Sequence, residues 1–338
     1  MATPAVTVLM PVYNGARFLA GAMESVLGQT FGDFELLAIN DGSSDQTAEI
    51  LASSRDPRVR IVENGRNLGL IASLNKGLDL ARGDYVARMD QDDLALPKRL
   101  EKQVHFLSAS PRTGLCGTWF RTFGGTRSTV VRPPARADDM AARLFYESPL
   151  AHPTVMFRRG LFAEHGLRYS HDFPNAEDYE LWTRVARITE LANLPEVLLQ
   201  YRRHDEQIST MKKAKQDETV RRILLRQLET IHPHATGPER DAHVAIVTNR
   251  IPDESGFTVD YVESWLTGLV RRNKALAVFP PEAFSRALSI VWWRYCSSRS
   301  SVPGVIRAFY ASALTRVLPL KNKLGILAIR AMAGAARS

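Results

Sequence analysis

The sequence predicts an α/β fold, a mixed and mainly parallel sheet with helices on both faces, followed by an all-helical C-terminal region. Three observations support this. Short apolar runs alternate with segments of helical spacing through residues 6–89. Turn-forming or acidic residues directly follow three of these runs, at Pro11, Asp41 and Asp90. Beyond residue 206 the apolar residues recur almost entirely at helical spacing.

The elements of the first half follow in order along the chain. Strands are predicted at 6–10, 34–39, 59–62 and 85–89, and we expect Pro11 to end the first. Helices are predicted between them, with apolar residues at helical spacing over 18–27, up to Leu51 and over 70–78. Ligands of such sheets bind beyond the carboxyl ends of the strands, so Pro11, Asp41 and Asp90 should line one crevice.

The sequence pattern changes at about residue 205, and beyond it the chain becomes almost wholly helical. Residues 114–160 are irregular, and helices are predicted near 210–231, 237–250, 258–275 and 281–298. We therefore expect one domain over 1–205 and a helical region over 206–338.

The net charge of +8 belongs to the C-terminal tail, residues 283–338. The tail contains nine basic residues and no acidic one, which leaves 35 basic against 36 acidic residues in 1–282. Basic and apolar residues alternate there, a pattern typical of an amphipathic segment on an anionic membrane. A helix that packs on the core and exposes a basic face would show the same pattern.

Composition excludes several classes of protein. Two cysteines in unrelated contexts indicate neither a disulfide framework nor a zinc site, so a cytoplasmic location is the simplest expectation. Neither a signal peptide nor a transmembrane run is visible. The sequence also lacks an aromatic-basic motif of the kind that reads nucleic acid.

The strongest motif is Asp90-Gln91-Asp92-Asp93, which directly follows a predicted buried strand. Carboxylates repel one another at this spacing, and their oxygens suit Mg²⁺ or Mn²⁺. A divalent cation at a strand end of an α/β sheet indicates a phosphate-bearing ligand. The alternative is a solvated acidic turn before the next helix.

Two further acidic motifs have both functional and structural interpretations. Asp41 begins a turn that could cap a helix, or its carboxylate could accept hydrogen bonds from a ribose or a base. Glu177 and Asp178 begin a predicted helix, where acidic residues are ordinary. Asp178 is also a candidate general base, since a helix N-terminus favours the ionised form such a base needs.

Other candidates are weaker. His204 follows Arg202 and Arg203 and is a candidate metal ligand or diphosphate contact, or an exposed histidine in a basic loop. His152 is equally well explained as structural. Trp182 fits the core or the wall of a site better than a specific contact.

Seven short motifs together resemble the bacterial family 2 glycosyltransferases with the GT-A (Rossmann-like) fold. They occur in family order over roughly 205 residues, and the helical remainder has no such match. The motifs are Pro11-Val12-Tyr13-Asn14, Asp41-Gly42-Ser43-Ser44-Asp45, Asn67-Leu68-Gly69-Leu70, Arg88-Met89-Asp90-Gln91-Asp92-Asp93, His152-Pro153-Thr154, Glu177-Asp178 and Tyr201-Arg202-Arg203-His204.

The resemblance implies a nucleoside-diphosphate-sugar donor, most readily a UDP-sugar, with Mn²⁺ or Mg²⁺ and inversion at the anomeric carbon. It implies that Asp178 is the base, with Glu177 beside it, and that Asp92, Asp90 and His204 serve the metal. The implied nucleotide-binding residues are Pro11, Tyr13, Asn14, Asp41, Asn67, Arg88 and Asp90. Arg202, Arg203, His152 and Trp182 are candidates for contacts with the diphosphate or the acceptor.

The expected acceptor is a hydroxyl of a glycan or lipid-linked molecule, in cell-surface polysaccharide biosynthesis, with the tail as a peripheral membrane contact. Two alternatives remain open. A sugar-phosphate nucleotidyltransferase would need repeated glycines after the first strand, where Pro11 to Gly15 lacks them. A non-catalytic protein that binds membranes or polyanions could use the basic tail alone. The oligomeric state is not predicted.

Overall fold

The structure, a computed structural model, describes residues 3–204, 213–251 and 256–319. Nine strands of this part form one sheet, in the order β3-β2-β1-β4-β8-β6-β9-β5, with β7 paired to β6. The strands are β1 Val6–Val12, β2 Phe34–Asn40, β3 Val59–Glu63, β4 Tyr85–Arg88, β5 Leu94–Ala95, β6 Thr113–Phe123, β7 Val130–Val131, β8 Met156–Arg158 and β9 Glu190–Arg202.

Helices of the first half connect these strands. They are α1 Leu19–Leu27, α2 Thr47–Ser53, α3 Leu70–Leu80, α4 Arg99–Ala109, α5 Ala137–Arg143, α6 Arg159–Glu164 and α7 Glu177–Val185, with a 3₁₀ turn at His152–Thr154. The predicted fold class is confirmed: the sheet is mixed, with helices between strands and a helical C-terminal region.

The four strands β3, β2, β1 and β4 are parallel, as predicted, and bring their carboxyl ends to one edge. Every residue of β1 and β2 is buried, which explains their nearly continuous apolar sequence. β8 then pairs antiparallel to β4 and β6, whereas β6 and β9 are parallel. The predicted motifs therefore follow the buried strands β1 and β2 and the mostly buried β4.

The prediction that Pro11 ends β1 was wrong, because the strand continues to Val12. The carbonyl of Leu9 accepts a hydrogen bond from the N–H of Met89, so the peptide of Leu9 faces β4. Peptide groups alternate along a strand, so the nitrogen of Pro11 faces the same side. β4 ends at Arg88, and the missing donor of Pro11 therefore breaks no bond of the ladder.

The chain divides into two compact units, residues 1–137 with 148–220 and residues 138–147 with 221–338. The second unit contains α9 Gly237–Val247, α10 Val259–Leu276, α11 Pro281–Ser298, α12 Val305–Ala311 and α13 Ala313–Arg316, and α8 Lys213–Glu229 runs across the division. The helices α8 to α11 match the predicted positions, whereas α12 and α13 were not predicted. The predicted boundary at residue 205 stays a prediction, and residues 205–212 lie outside the described part.

Within the second unit, residues 138–147 are held by the helices that follow much later in the chain. Arg286 and Arg294 form ion pairs with Asp139 and Glu147, at 2.7 and 2.8 Å. The ring of Phe145 packs on that of Phe284. Polar pairs and aromatic packing thus tie a short insert to α11.

The predicted tail begins inside this core. α11 buries the side chains of Phe284, Leu288 and Trp292, so it packs as a core helix. Lys321, Lys323, Arg330 and Arg337 of the predicted amphipathic segment lie outside the described residues. None of the described helices is long and apolar enough to span a membrane.

Candidate active site

Two loops at the carboxyl edge of the sheet are joined by hydrogen bonds between side chains and backbone. The N–H of Asn14 donates to Ser43 Oγ at 3.0 Å, and the N–H of Ser44 donates to Asn14 Oδ1 at 2.9 Å. The N–H of Ala16 donates to Asp45 Oδ2 at 3.0 Å. Asn14 adopts a φ of 46°, a left-handed conformation that asparagine tolerates better than most residues. The loops after β1 and β2 therefore form one frame.

A third loop, the acidic one after β4, joins this frame through Gln91. The side-chain amide of Gln91 accepts from the N–H of Tyr13 at 2.8 Å and donates to the carbonyl of Tyr13 at 3.0 Å. The ring of Tyr13 is left exposed at the edge of the crevice. A residue in the middle of the acidic motif thus fixes the loop predicted to frame the nucleotide.

The carboxylate of Asp41 is turned into the protein. It is 4% exposed and accepts hydrogen bonds from Asn64 Nδ2 at 2.7 Å and from the N–H groups of Leu68 and Gly69 at 2.9 and 2.8 Å. Gly42, at a φ of 68°, lets the chain pass Asn67, whose N would lie 2.6 Å from an added Cβ. Asp41 therefore shapes the 64–69 loop, and Asn67 is exposed on it.

Three carboxylates converge at the end of β4. Asp90, Asp92 and Asp93 each place one oxygen so that all three lie within 4.8 Å of one another. Asp93 Oδ2 is buried and has no hydrogen-bond partner, and its other oxygen accepts from the N–H of Arg202 at 2.7 Å. Burial and the charges of Asp90 and Asp92 raise the pKa of Asp93 well above its usual value. An unpartnered oxygen among all-oxygen donors fits a divalent cation.

Arg88 is the buried cation nearest to these acids. Its side chain is 4% exposed and forms an ion pair with Asp90. Although burial opposes it, the charge of Asp90 raises the pKa of Arg88, which remains cationic. Its Nε has no hydrogen-bond partner in the described structure. Arg88 thus keeps one donor available, and its predicted contact with the donor diphosphate stays a prediction.

The end of β9 holds the acidic loop from the other side. Arg202 Nε donates to the carbonyl of Asp92 at 2.7 Å, and its guanidinium lies over the rings of Phe18 and Phe123. His204 Nε2 lies 2.8 Å from Asp92 Oδ2, so here His204 orients a carboxylate that was predicted to bind the metal. The N–H of Arg203 bonds to the carbonyl of Phe123, and its side chain is exposed.

Glu177 and Asp178 begin α7, as predicted. Against the larger effect of burial, the positive charge of the buried Arg88 guanidinium acts to lower the pKa of both carboxyls. Burial, and next the charge of Asp178, raise the pKa of Glu177 to about 7. Burial also raises the pKa of Asp178, opposed by the N–H of Tyr179 and by Arg88. The expectation that the helix end alone would favour the ionised form was incomplete, because desolvation is the larger effect.

His152 and Trp182 lie in the packed interior next to Tyr169, Trp182 on α7 itself. His152 Nε2 lies 2.9 Å from the hydroxyl of Tyr169, and burial lowers the pKa of His152, so the ring is neutral. Trp182 is fully buried and packs edge-on to His152 and Tyr169. Trp182 therefore has no exposed surface in the structure, and its suggested contact with a diphosphate or an acceptor stays a prediction.

Several supporting residues were missed by sequence reasoning. Asn75 binds the backbone of Tyr169 in both directions, at 2.9 and 3.0 Å, and no local signal announces this long-range pair. Arg99 is 1% exposed and donates to the carbonyl of Arg88 at 2.7 Å. Arg99 and Gln103 lie four residues apart beside the buried Leu100, and polar residues at that helical spacing are a signal of a buried network.

Comparison with known proteins agrees with this geometry. The family model for glycosyl transferase family 2 matches residues 7–166. A Haemophilus influenzae protein, an uncharacterized glycosyltransferase, is 34% identical over 232 residues, which cover 65% of this chain and 72% of that protein.

Two solved structures share the fold. Staphylococcus aureus TarS 1–349 in complex with UDP-GlcNAc has a TM-score of 0.57 and 19% identity, over 90% of this chain and 91% of that chain. The mannosyltransferase PcManGT from Pyrobaculum calidifontis, in complex with GDP-Man and Mn²⁺, has a TM-score of 0.55 and 17% identity, over 88% and 89%.

Proposed function

The chain belongs to glycosyltransferase family 2, and on this premise we propose that it moves a sugar from a nucleoside-diphosphate-sugar to a hydroxyl acceptor with inversion. The observation that carries the proposal is the convergence of Asp90, Asp92 and Asp93 at the carboxyl edge of the sheet. Asp90 and Asp93 there are poorly explained by folding alone, since burial disfavours the charged forms of both.

The donor nucleotide would lie over the frame formed by the loops after β1 and β2. Tyr13, Asn14 and Asn67 are exposed there, and together with Pro11 they would border the nucleotide. Structures of the same fold bind UDP-GlcNAc and GDP-Man, which supports a nucleotide-sugar donor and leaves the base open. Asp41 would act on the base through the 64–69 loop that it holds.

Asp90 and Asp92 would hold a divalent cation, Mn²⁺ or Mg²⁺, with Asp93 and His204 supporting them. Such a cation stabilises the negative charge that develops on a departing diphosphate. PcManGT was solved with Mn²⁺, which supports this choice of ion class. Arg88 would neutralise Asp90 and offer its free Nε to an anionic group near the strand end.

Asp178 would take the proton of the attacking acceptor hydroxyl on its carboxylate. A raised pKa makes a carboxylate a stronger base, provided that it is ionised at the working pH. The nearby positive charge of Arg88 favours this ionised form. Glu177, the neighbouring acid at the start of α7, would orient the donor or the acceptor.

The acceptor would be a glycan or a lipid-linked molecule, in cell-surface polysaccharide biosynthesis. Contact of residues 283–338 with a membrane is a separate proposal, and it rests on the sequence pattern alone. In the described part Arg286 and Arg294 are already paired within the helical unit, so their charges are not free for lipid headgroups.

The two alternatives lose their support. Membership of the family decides against a nucleotidyltransferase and against a non-catalytic membrane or polyanion-binding protein. A panel of UDP-, TDP- and GDP-sugars with Mn²⁺ tests the proposal by thermal shift and by release of the nucleotide. We expect one donor class to raise the melting temperature and to be turned over. No shift and no release with any donor would contradict the proposal.

A further inference from the structure

A long segment of the catalytic unit carries positive charge without any acid. Residues 102–137 include five arginines and no aspartate or glutamate. Arg112 pairs with Glu190, whereas no ion pair involves the other four in the described part of the chain. Arg121, Arg127, Arg132 and Arg136 are all exposed. Like charges repel, so an unpaired cluster of this kind favours an anionic ligand.

We define the arginine patch as Arg121, Arg127 and Arg132 of the β6–β7 hairpin. Strand pairing and side-chain contacts organise this hairpin. Arg121 pairs with Val130 across it, and the guanidinium of Arg132 lies 5.5 Å from the centroid of the half-buried Trp119 ring. The Nε1 of Trp119 donates to the carbonyl of Pro133 at 3.1 Å. Trp119 and Arg121 are two residues apart on one strand and therefore share a face.

The patch is continuous with the candidate active site. In the pairing of β6 with β9, Arg121 lies opposite Gln200 and Phe123 opposite Arg202. Arg202, and His204 two residues after it, contact the acidic loop at Asp92. A molecule lying along the hairpin would therefore point one end towards the carboxylates.

The strand order shows on which half of the sheet the arginine patch lies. The loops proposed to hold the nucleotide follow β1 and β2 and precede α3, whereas β6 and β9 lie beyond β4 and β8. The patch is thus on the half of the sheet away from the nucleotide. If the nucleotide binds on the other half, a substrate that reaches the carboxylates from this half would be the acceptor.

We propose that the arginine patch binds an acidic glycan acceptor, one that carries carboxylate or phosphate groups. This inference rests on the proposed function, because it assigns the acceptor of the same transfer. Arginine suits such groups because its planar guanidinium can donate two hydrogen bonds to one carboxylate or phosphate. The half-exposed indole beside Arg132 adds an apolar face for a sugar ring.

The test compares two triple variants of the full chain. The patch variant is Arg121→Gln, Arg127→Gln and Arg132→Gln. The control variant is Arg55→Gln, Arg82→Gln and Arg187→Gln, which removes the same charge from exposed positions elsewhere in the unit. The probes are fluorescent oligogalacturonate, neutral malto-oligosaccharide of equal length, and vesicles of phosphatidylglycerol. Binding is measured by anisotropy and by flotation.

We expect the wild-type chain to bind oligogalacturonate, the patch variant to bind it about tenfold more weakly, and the control variant to stay within about twofold. Three results would overturn the proposal: no binding by the wild type, equal weakening in both variants, or a patch effect confined to the vesicles. A thermal shift of the wild type with UDP or GDP and Mn²⁺ is measured in parallel. Its absence would contradict the proposed function independently of the glycan result.

Discussion

Glu177 and Asp178, adjacent at the start of α7, are the residues on which the proposed chemistry depends most. Both are desolvated, and burial raises the pKa of each. Arg88 and the Tyr179 N–H oppose this shift at Asp178. We propose that Asp178 acts as the base and that Glu177 positions the substrates.

Replacing the proposed base should separate binding from turnover. Asp178→Asn keeps the size of the side chain and removes the carboxylate that accepts the proton. We expect donor affinity to change little and nucleotide release during transfer to fall by about 10²- to 10⁴-fold. Kinetics with the donor found in the panel, alongside calorimetry, measure both quantities. Near-normal turnover would remove Asp178 from the mechanism.

Burial of Glu177 should make folding pH-dependent. Its folded pKa, about 7, lies above the value of an exposed glutamate, so the folded chain binds the proton more tightly than the unfolded chain. This contribution to stability is complete below about pH 4 and is lost as the pH rises through 7. Glu177→Gln should therefore gain stability relative to wild type between pH 5 and 7.5, by up to about 3 kcal/mol. Thermal unfolding without metal measures it, and a constant difference across this range would count against the buried carboxyl.

Asp41 should matter for folding before any ligand is present. Asp41→Asn turns an N–H₂ group or a single oxygen towards the N–H groups of Leu68 and Gly69, and one of these loses its partner. We expect a loss of about 1–3 kcal/mol in the free energy of unfolding, measured by urea denaturation. Asp84→Asn, at an exposed position, is the control. Unchanged stability with weaker nucleotide binding would instead place Asp41 against the base.

At the scale of elements, the site is an arrangement of loops on the parallel half of the sheet. β1, β2 and β4 fix where their loops begin, and Gln91, Asn14 and Asp45 join those loops to one another. Such cross-links reduce the freedom that a bound nucleotide would otherwise have to remove. The crevice is thus organised before the donor arrives.

The link at Gln91 gives the prediction for this scale. Gln91→Leu keeps the approximate volume and removes both hydrogen bonds to Tyr13, which lie at the surface. We expect about three- to tenfold weaker binding of UDP or GDP with Mn²⁺ and little change in melting temperature. Calorimetry of the wild type and the variant measures this. Equal affinities would show that the link does not organise the crevice.

The central parallel strands β1 and β2 could be predicted from the sequence because both faces of each are buried, which leaves nearly continuous apolar runs. The β6–β9 half could not. Gly117 sits inside β6 because an added Cβ would lie 2.4 Å from Asn193 Oδ1, and β9 is interrupted by register shifts near Val197. Glycine and irregular register both weaken the strand pattern.

The same contrast holds for the site. The positions of the candidate residues relative to the strands and helices could be predicted from the sequence. Asp90 and Asp92 follow a strand, and Glu177 and Asp178 begin a helix. The partners that hold them, Asn75 with Tyr169 and Arg99 with Arg88, are joined by the fold across long distances in sequence or by burial of a charge. The helical spacing of Arg99 and Gln103 indicates a buried network, but it does not identify the distant partner.

At the scale of the whole molecule, the chain consists of an α/β unit and a helical unit, and the short insert 138–147 belongs to the latter. α11 supplies the core of that unit through Phe284, Leu288 and Trp292. Removing everything after residue 282 would therefore expose this core, so the role of the tail should be tested by substitution in the full chain.

The central claim is that the carboxylates after β4 hold a divalent cation for a nucleotide-sugar. Calorimetric titration of UDP or GDP, with and without Mn²⁺, into wild type, Asp92→Ala and Asp84→Ala tests it most directly. Asp84 lies at the opposite end of β4 and is exposed. We predict metal-dependent binding in the wild type and in Asp84→Ala, and a loss of at least about tenfold in Asp92→Ala. The same affinity and the same Mn²⁺ dependence in Asp92→Ala would contradict the claim.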